Sequence, residues 1–169
     1  MKYKSASMMK IVNIFINLFL LALFVCVNGI YAQSPVYLSA ITQNLTSPVR
    51  VAIDKSDFVF VTDATQKFIV KYDPSGNFLK TITSGNSPIS IAINENNQIF
   101  IGDGATGDIF KLDSNGTPTI FFTGTEFPSD MVFCPDGFLY VVDGILKKVL
   151  VLNPSGSVVR AIGFGTFTY

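Results

Sequence analysis

One interval constrains this chain more than any other feature: forty residues separate Pro48, Pro88 and Pro128, and the same forty separate Asp63, Asp103 and Asp143. Gly76, Gly116 and Gly156 keep it, as do Asp73, Asp113 and Asn153. A repeat of this length is one supersecondary unit that cannot bury its apolar faces alone, so neighbouring units must stack.

Each unit carries the same series of strand and turn signals. In the first, Val49 to Ile53 is a β-branched run, Asp54-Lys55-Ser56-Asp57 is a polar turn, and Phe58 to Thr62 is a second strand. Asp63 to Gln66 turns the chain, Lys67 to Tyr72 alternates, Asp73-Pro74-Ser75-Gly76 turns it again, and Phe78 to Ile82 completes the unit. The last turn has a chemical basis: Asp accepts from the backbone two residues on, Pro presets φ, and Gly tolerates positive φ. Asn153-Pro154-Ser155-Gly156 repeats it, and Asp113-Ser114-Asn115-Gly116 keeps its logic without the proline. No helical periodicity interrupts the pattern beyond the N-terminus, so an all-β domain is expected. Four short antiparallel strands every forty residues predict the blades of a β-propeller, at about 48–82, 88–122 and 128–162.

The same period aligns Leu38 to Ile41 with fourth strands, which predicts an orphan outer strand at 36–42. Propellers close with about four to eight blades, so three blades and an orphan strand predict an incomplete ring. The expectation is that the remaining blades follow Tyr169 in the same chain. A six-bladed dimer is the alternative, and it would leave two surplus strands.

The runs Pro48-Val49-Arg50-Val51-Ala52-Ile53-Asp54, Phe58-Val59-Phe60-Val61-Thr62-Asp63 and Ile69-Val70-Lys71-Tyr72-Asp73, with Gly76, resemble the NHL repeat. Pro128 to Gly156 resembles it more closely still, through Pro135-Asp136-Gly137-Phe138-Leu139-Tyr140-Val141-Val142-Asp143. The resemblance implies a propeller and, for some members, lyase or zinc-dependent chemistry carried by His. Where the family typically has an Asn and an Arg ahead of its third strand, this chain has Gln66 and Phe68, Thr106 and Asp108, and Leu146 and Lys148.

The N-terminus reads as an export signal, 1–32, followed by the propeller segment 33–169. Lys2, Lys4 and Lys10 form a basic region, Leu18 to Val27 is uninterruptedly apolar, and Ile30-Tyr31-Ala32 ends on a small residue. A membrane anchor is opposed by Asn13 and Asn17, and lipidation at Cys26 by the bulk of Val25. A secreted, periplasmic or cell-envelope protein without a stable membrane span after cleavage is expected. Without the three signal lysines, nine basic groups face twelve acidic ones, a net charge of −3. That balance gives no basic patch for nucleic acid. Cys134 then stands alone, which excludes an internal disulfide and suits a small hydrophobe. Asn44-Leu45-Thr46 and Asn115-Gly116-Thr117 fit the glycosylation sequon.

Candidate ligand contacts fall on one face, where the turns between second and third strands meet the connections between blades. The acid column, Asp63, Asp103 and Asp143, has two readings: capping of each turn through backbone N–H groups, or oxygen ligation of Ca²⁺. Capping is the reading favoured by its occurrence in every unit, so no metal and no cofactor is expected. Asp108 adds a second carboxylate to the glycine-rich Gly102 to Asp108 loop, which lacks phosphate-loop spacing. Arg50, Ser90 and Asp130 occupy one column at the start of the innermost strand and vary in charge while their neighbours stay apolar, as ligand contacts do. The chain has no His, so imidazole catalysis lacks its carrier, and no catalytic residue is assigned. The expected function is a binding or scaffold module for a protein or glycan. The alternative is the N-terminal part of a propeller lyase or lactonase whose catalytic residues lie in further blades.

Overall fold

The computed structural model describes residues 39–83 and 85–163; the expected signal, 1–32, lies outside them. Three four-stranded antiparallel sheets follow one another along the chain. The first contains β1 (Pro48–Ile53), β2 (Val59–Asp63), β3 (Phe68–Tyr72) and β4 (Phe78–Thr83). The second contains β5 (Pro88–Ile93), β6 (Ile99–Asp103), β7 (Ile109–Leu112) and β8 (Pro118–Phe122). The third contains β9 (Pro128–Phe133), β10 (Leu139–Asp143), β11 (Lys148–Leu152) and β12 (Val158–Ile162). No helix among the described residues is long and apolar enough to cross a membrane.

The outer turns form as their side chains dictate. Oδ1 of Asp73 accepts from the amides of Ser75 and Asn77, both at 2.9 Å. Asp113 does the same with Asn115 and Thr117, and Asn153 with Ser155 and Ser157. Gly76, Gly116 and Gly156 close these turns at φ of 84°, 90° and 85°, a region that costs a residue with a Cβ about 1–2 kcal/mol.

The sheets, or blades, pack face to face because alternate residues on each strand are apolar on both sides. Ala52, Phe60, Ile69 and Ile82 of blade 1 meet Ile91, Ile101 and Leu112 of blade 2. Ala92, Phe100 and Ile109 of blade 2 meet Met131, Leu139, Val141 and Leu152 of blade 3. Phe100 also sets its ring edge-on against Phe121 and Phe133, with centroids 4.8 and 4.9 Å apart.

Of the orphan strand expected at 36–42, residues 36–38 lie outside the described residues, and 39–42 pair with no strand among the described ones. The chain there is engaged otherwise: Ile41 and Leu45 pack on the outer face of blade 1 against Val61, Val70 and Tyr72. The Tyr72 hydroxyl donates to the Gln43 carbonyl at 2.5 Å and ties the segment down.

Candidate functional site

The innermost strands β1, β5 and β9 are each irregular at one place. Opposite β2, Pro48 pairs with Asp63 and Arg50 with Thr62, so Val49 is an extra residue. Ile89 and Ser129 are extra at the same point of blades 2 and 3. A bulge of this kind bends the strand and re-aims the next side chain, here the column Arg50, Ser90 and Asp130.

The three members of that column do different things. Arg50 reaches from β1 to β9, with Nε 3.4 Å from Oδ1 of Asp130 and a terminal nitrogen donating to the Ser129 carbonyl at 3.1 Å. Both side chains stay open to solvent, at 43% and 59%. Ser90 is fully buried and its hydroxyl donates to the Pro128 carbonyl at 2.6 Å. Gly102 permits this approach, because a Cβ there would lie 3.0 Å from the Pro128 ring. The structure therefore joins Arg50 and Asp130 into a pair and sets Ser90 beneath the surface as a link between blades 2 and 3.

The acid column is buried and occupied by donors. Asp63, Asp103 and Asp143 are exposed by 0%, 0% and 1%. Oδ2 of Asp63 accepts from the amides of Thr46 and Ser47, while Oδ1 accepts from Gln66. Asp103 holds Asn86 and Ser87 with Oδ2, and Ala105 and Thr106 with Oδ1. Asp143 holds Glu126 with Oδ2, and Ile145 and Leu146 with Oδ1. Each carboxylate thus staples its own turn to the connection that enters its blade. Burial pushes the Asp63 carboxyl up, but amide donors led by Ser47 and Gln66 outweigh it and hold the group below its ordinary value of 3.8. Three N–H donors each on Asp63 and Asp143 and four on Asp103 take most of the lone pairs of these carboxylates. No cluster of three metal-ligating side chains occurs among the described residues.

Asp108 is half-buried, and its amide donates to the Thr106 hydroxyl at 3.2 Å. It is not brought together with Arg50 or Asp130 by any contact among the described residues.

Concave surface lies instead at the opposite end of the blades. A cleft of about 470 Å³ between blades 1 and 2 is lined by Lys71, Lys80, Lys111, Asn96, Phe60 and Ile82, among others. A second, of about 310 Å³, lies between blades 2 and 3 and includes Phe121, Phe133 and Cys134. Neither includes a member of the acid column or of the Arg50 column. Their sequence signal was the pair of lysines forty residues apart, Lys71 and Lys111, on an otherwise apolar strand.

No protein-family model matches the chain, and no curated protein matches it. Solved structures do. A virginiamycin B lyase from Staphylococcus aureus aligns with a TM-score of 0.64 at 15% identity, covering 82% of this chain and 48% of the lyase. A gluconolactonase from Xanthomonas campestris aligns at 0.65 and 13%, covering 80% and 54%. Hydrazine synthase from Kuenenia stuttgartiensis aligns at 0.63 and 13%, covering 79% and 40%. The chain spans about half the length of these structures or less. The three face-packed, four-stranded sheets and these likenesses make the described residues an all-β array of three β-propeller blades.

Proposed function

We propose that this chain belongs to an exported propeller module that recognises a protein or glycan at the end of the blades where Arg50 and Asp130 meet. The observation that carries the reading is the contrast within that end: the buried acids and Ser90 are saturated by the fold, while Arg50 and Asp130 stay half-exposed beside the propeller axis. A guanidinium and a carboxylate held 3.4 Å apart offer a ligand both a planar donor fork and an acceptor. Glycan arrays and affinity capture with the full chain, alongside Arg50→Ala and Asp130→Ala, test it. Capture that both variants lose supports the reading; capture that survives both substitutions overturns it.

A second reading is favoured by the lyase and gluconolactonase among the similar structures: this chain forms part of a longer propeller enzyme whose catalytic groups lie outside the described residues. Lyase and lactonase assays on the full-length product decide it, since turnover there would supersede the binding reading.

A further inference from the structure

The turn between β10 and β11 breaks the repeat within its own columns. After the buried acid, blades 1 and 2 carry Ala64-Thr65-Gln66 and Gly104-Ala105-Thr106, whereas blade 3 carries Gly144-Ile145-Leu146. On the connection that enters the blade, Ser47 and Ser87 give way to Phe127, ahead of the shared proline. Columns that are small or polar in two blades are therefore large and apolar in the third.

These side chains form one surface. The Gly144 amide donates to the Phe127 carbonyl at 3.0 Å, and a Cβ on Gly144 would lie 3.5 Å from both the Phe127 ring and the Ser129 hydroxyl. Ile145 follows directly, and Phe127 and Ile145 are 37% and 56% exposed. Ser129 joins the patch to the ion pair, because its carbonyl accepts from Arg50 at 3.1 Å. The amides of Ile145 and Leu146 are spent on Asp143, so the turn turns apolar groups outward.

A flanking blade does not account for this exposure. Blade 2 has a neighbour on both sides, and there Ala105 and Thr106 stay exposed and Ser87 half-buried. Val142 is different: its equivalent Gly102 is buried in blade 2, which assigns Val142 to the face that packs on a following blade. Large apolar side chains in columns that blade packing leaves open mark contact with another molecule. The rim is charged. Glu126 precedes Phe127 and Lys147 follows Leu146; both are exposed, and neither is in an ion pair among the described residues. An aromatic and aliphatic centre with Arg50 beside it and a polar rim has the composition of a protein contact. A saccharide hydroxyl pressed onto that centre would lose its hydrogen bonds to water without replacement.

We propose that Phe127 and Ile145 seat an apolar side chain of a protein partner, on a segment whose basic residue meets Glu126 and whose acidic residue meets Lys147. The inference rests on the reading of this end of the blades as the recognition surface and narrows its ligand to a polypeptide.

Selection of a phage-displayed dodecapeptide library on the full chain, followed by calorimetric titration of the selected peptides, tests it. The selected sequences should carry an apolar residue between opposite charges. Phe127→Ser and Ile145→Ala, which install the residues of blade 2, should each weaken binding at least about tenfold. Both positions are exposed, so the thermal melts, measured alongside, should hold. Val51→Lys and Val132→Lys, on the end faces of the blade stack, should leave binding unchanged. Peptide binding that survives Arg50→Ala and Asp130→Ala but is lost in Phe127→Ser and Ile145→Ala supports the apolar contact while removing the ion pair from recognition. Glycan binding with the opposite pattern, lost with the pair and kept in the Phe127 and Ile145 variants, overturns this inference and leaves the wider reading standing. Selection of peptides without an apolar residue, no selection at all, or unchanged affinity in both Phe127→Ser and Ile145→Ala would also overturn it.

Discussion

The Asp103 carboxylate accepts from the Asn86 amide at 2.6 Å, across seventeen residues of chain. Its other oxygen takes Ala105 and Thr106, so one buried side chain fixes both ends of a loop face. Asp103→Asn keeps the shape but turns an NH₂ group toward donors that then lack an acceptor. A loss of about 1–3 kcal/mol is expected from each such buried mismatch. Urea unfolding of Asp63→Asn, Asp103→Asn and Asp143→Asn should show it in all three, and a neutral result at any one would assign that carboxylate another task.

The same staples set the response to acid. The folded Asp63 carboxyl is depressed below 3.8, so it favours folding in its ionised form. Its contribution is fully present above about pH 4 and is lost as pH falls through the depressed folded value. Unfolding followed between pH 6 and pH 2 should show stability falling in that lower window for the unsubstituted chain, and less steeply for Asp63→Asn.

The period, the turns and the all-β class were legible because each rests on chemistry within a few residues. Asp73 with Ser75 and Asn77 is such a case. The acid column was half legible: its bonds to its own turn are local, but its hold on Thr46, Asn86 and Glu126 spans about seventeen residues and has no sequence signature. Arg50, Ser90 and Asp130 look equivalent by spacing, yet the bulge before each and the neighbouring blade decide which is buried. The cleft lysines were passed over because a lone Lys on a strand reads as a solvated position until its partners are seen. The expectation at 36–42 rests on extending the period backwards, and the part of that segment that is described packs Ile41, with Leu45 beyond it, on the face of blade 1.

Backbone conformation separates residues that spacing treats alike. Lys67, Gly107 and Lys147 share one column at φ of 60°, 75° and 50°. Lys67→Gly and Lys147→Gly relieve a left-handed residue and should change stability by no more than about 1 kcal/mol, toward stabilisation. Gly107→Ala should cost more than either gains, because the added Cβ would meet the Thr125 carbonyl oxygen. Thermal melts of the three variants check the opposite signs.

The Arg50–Asp130 contact is exposed, and exposed ion pairs contribute about 0–1 kcal/mol. A double-mutant cycle with Arg50→Ala and Asp130→Ala should therefore give a coupling in stability inside that range. A coupling of several kcal/mol would make the pair a clamp across the axis and remove the case for a ligand there.

The faces at the two ends of the blade stack give the last test, because equivalent columns have opposite exposure. Val51 of blade 1 is 62% exposed, while Ile91 and Met131, its equivalents, are 5% and 6% exposed beneath a preceding blade. On the other face Val132 of blade 3 is 60% exposed, whereas Ala92 is 4% exposed beneath a following one. Val142 and Ile162 extend that apolar face. Burying such a side chain stabilises by about 1.5–3 kcal/mol, so these surfaces favour self-association in water. Sedimentation of the 33–169 segment should show concentration-dependent association, reduced by Val51→Lys with Val132→Lys and with little loss of stability. Ile91→Ala, by contrast, should cost about 2–5 kcal/mol through the cavity it opens. A monomer with a sharp melt and no response to the paired lysine substitutions would show that three blades are self-sufficient and that neither face acts as a contact surface.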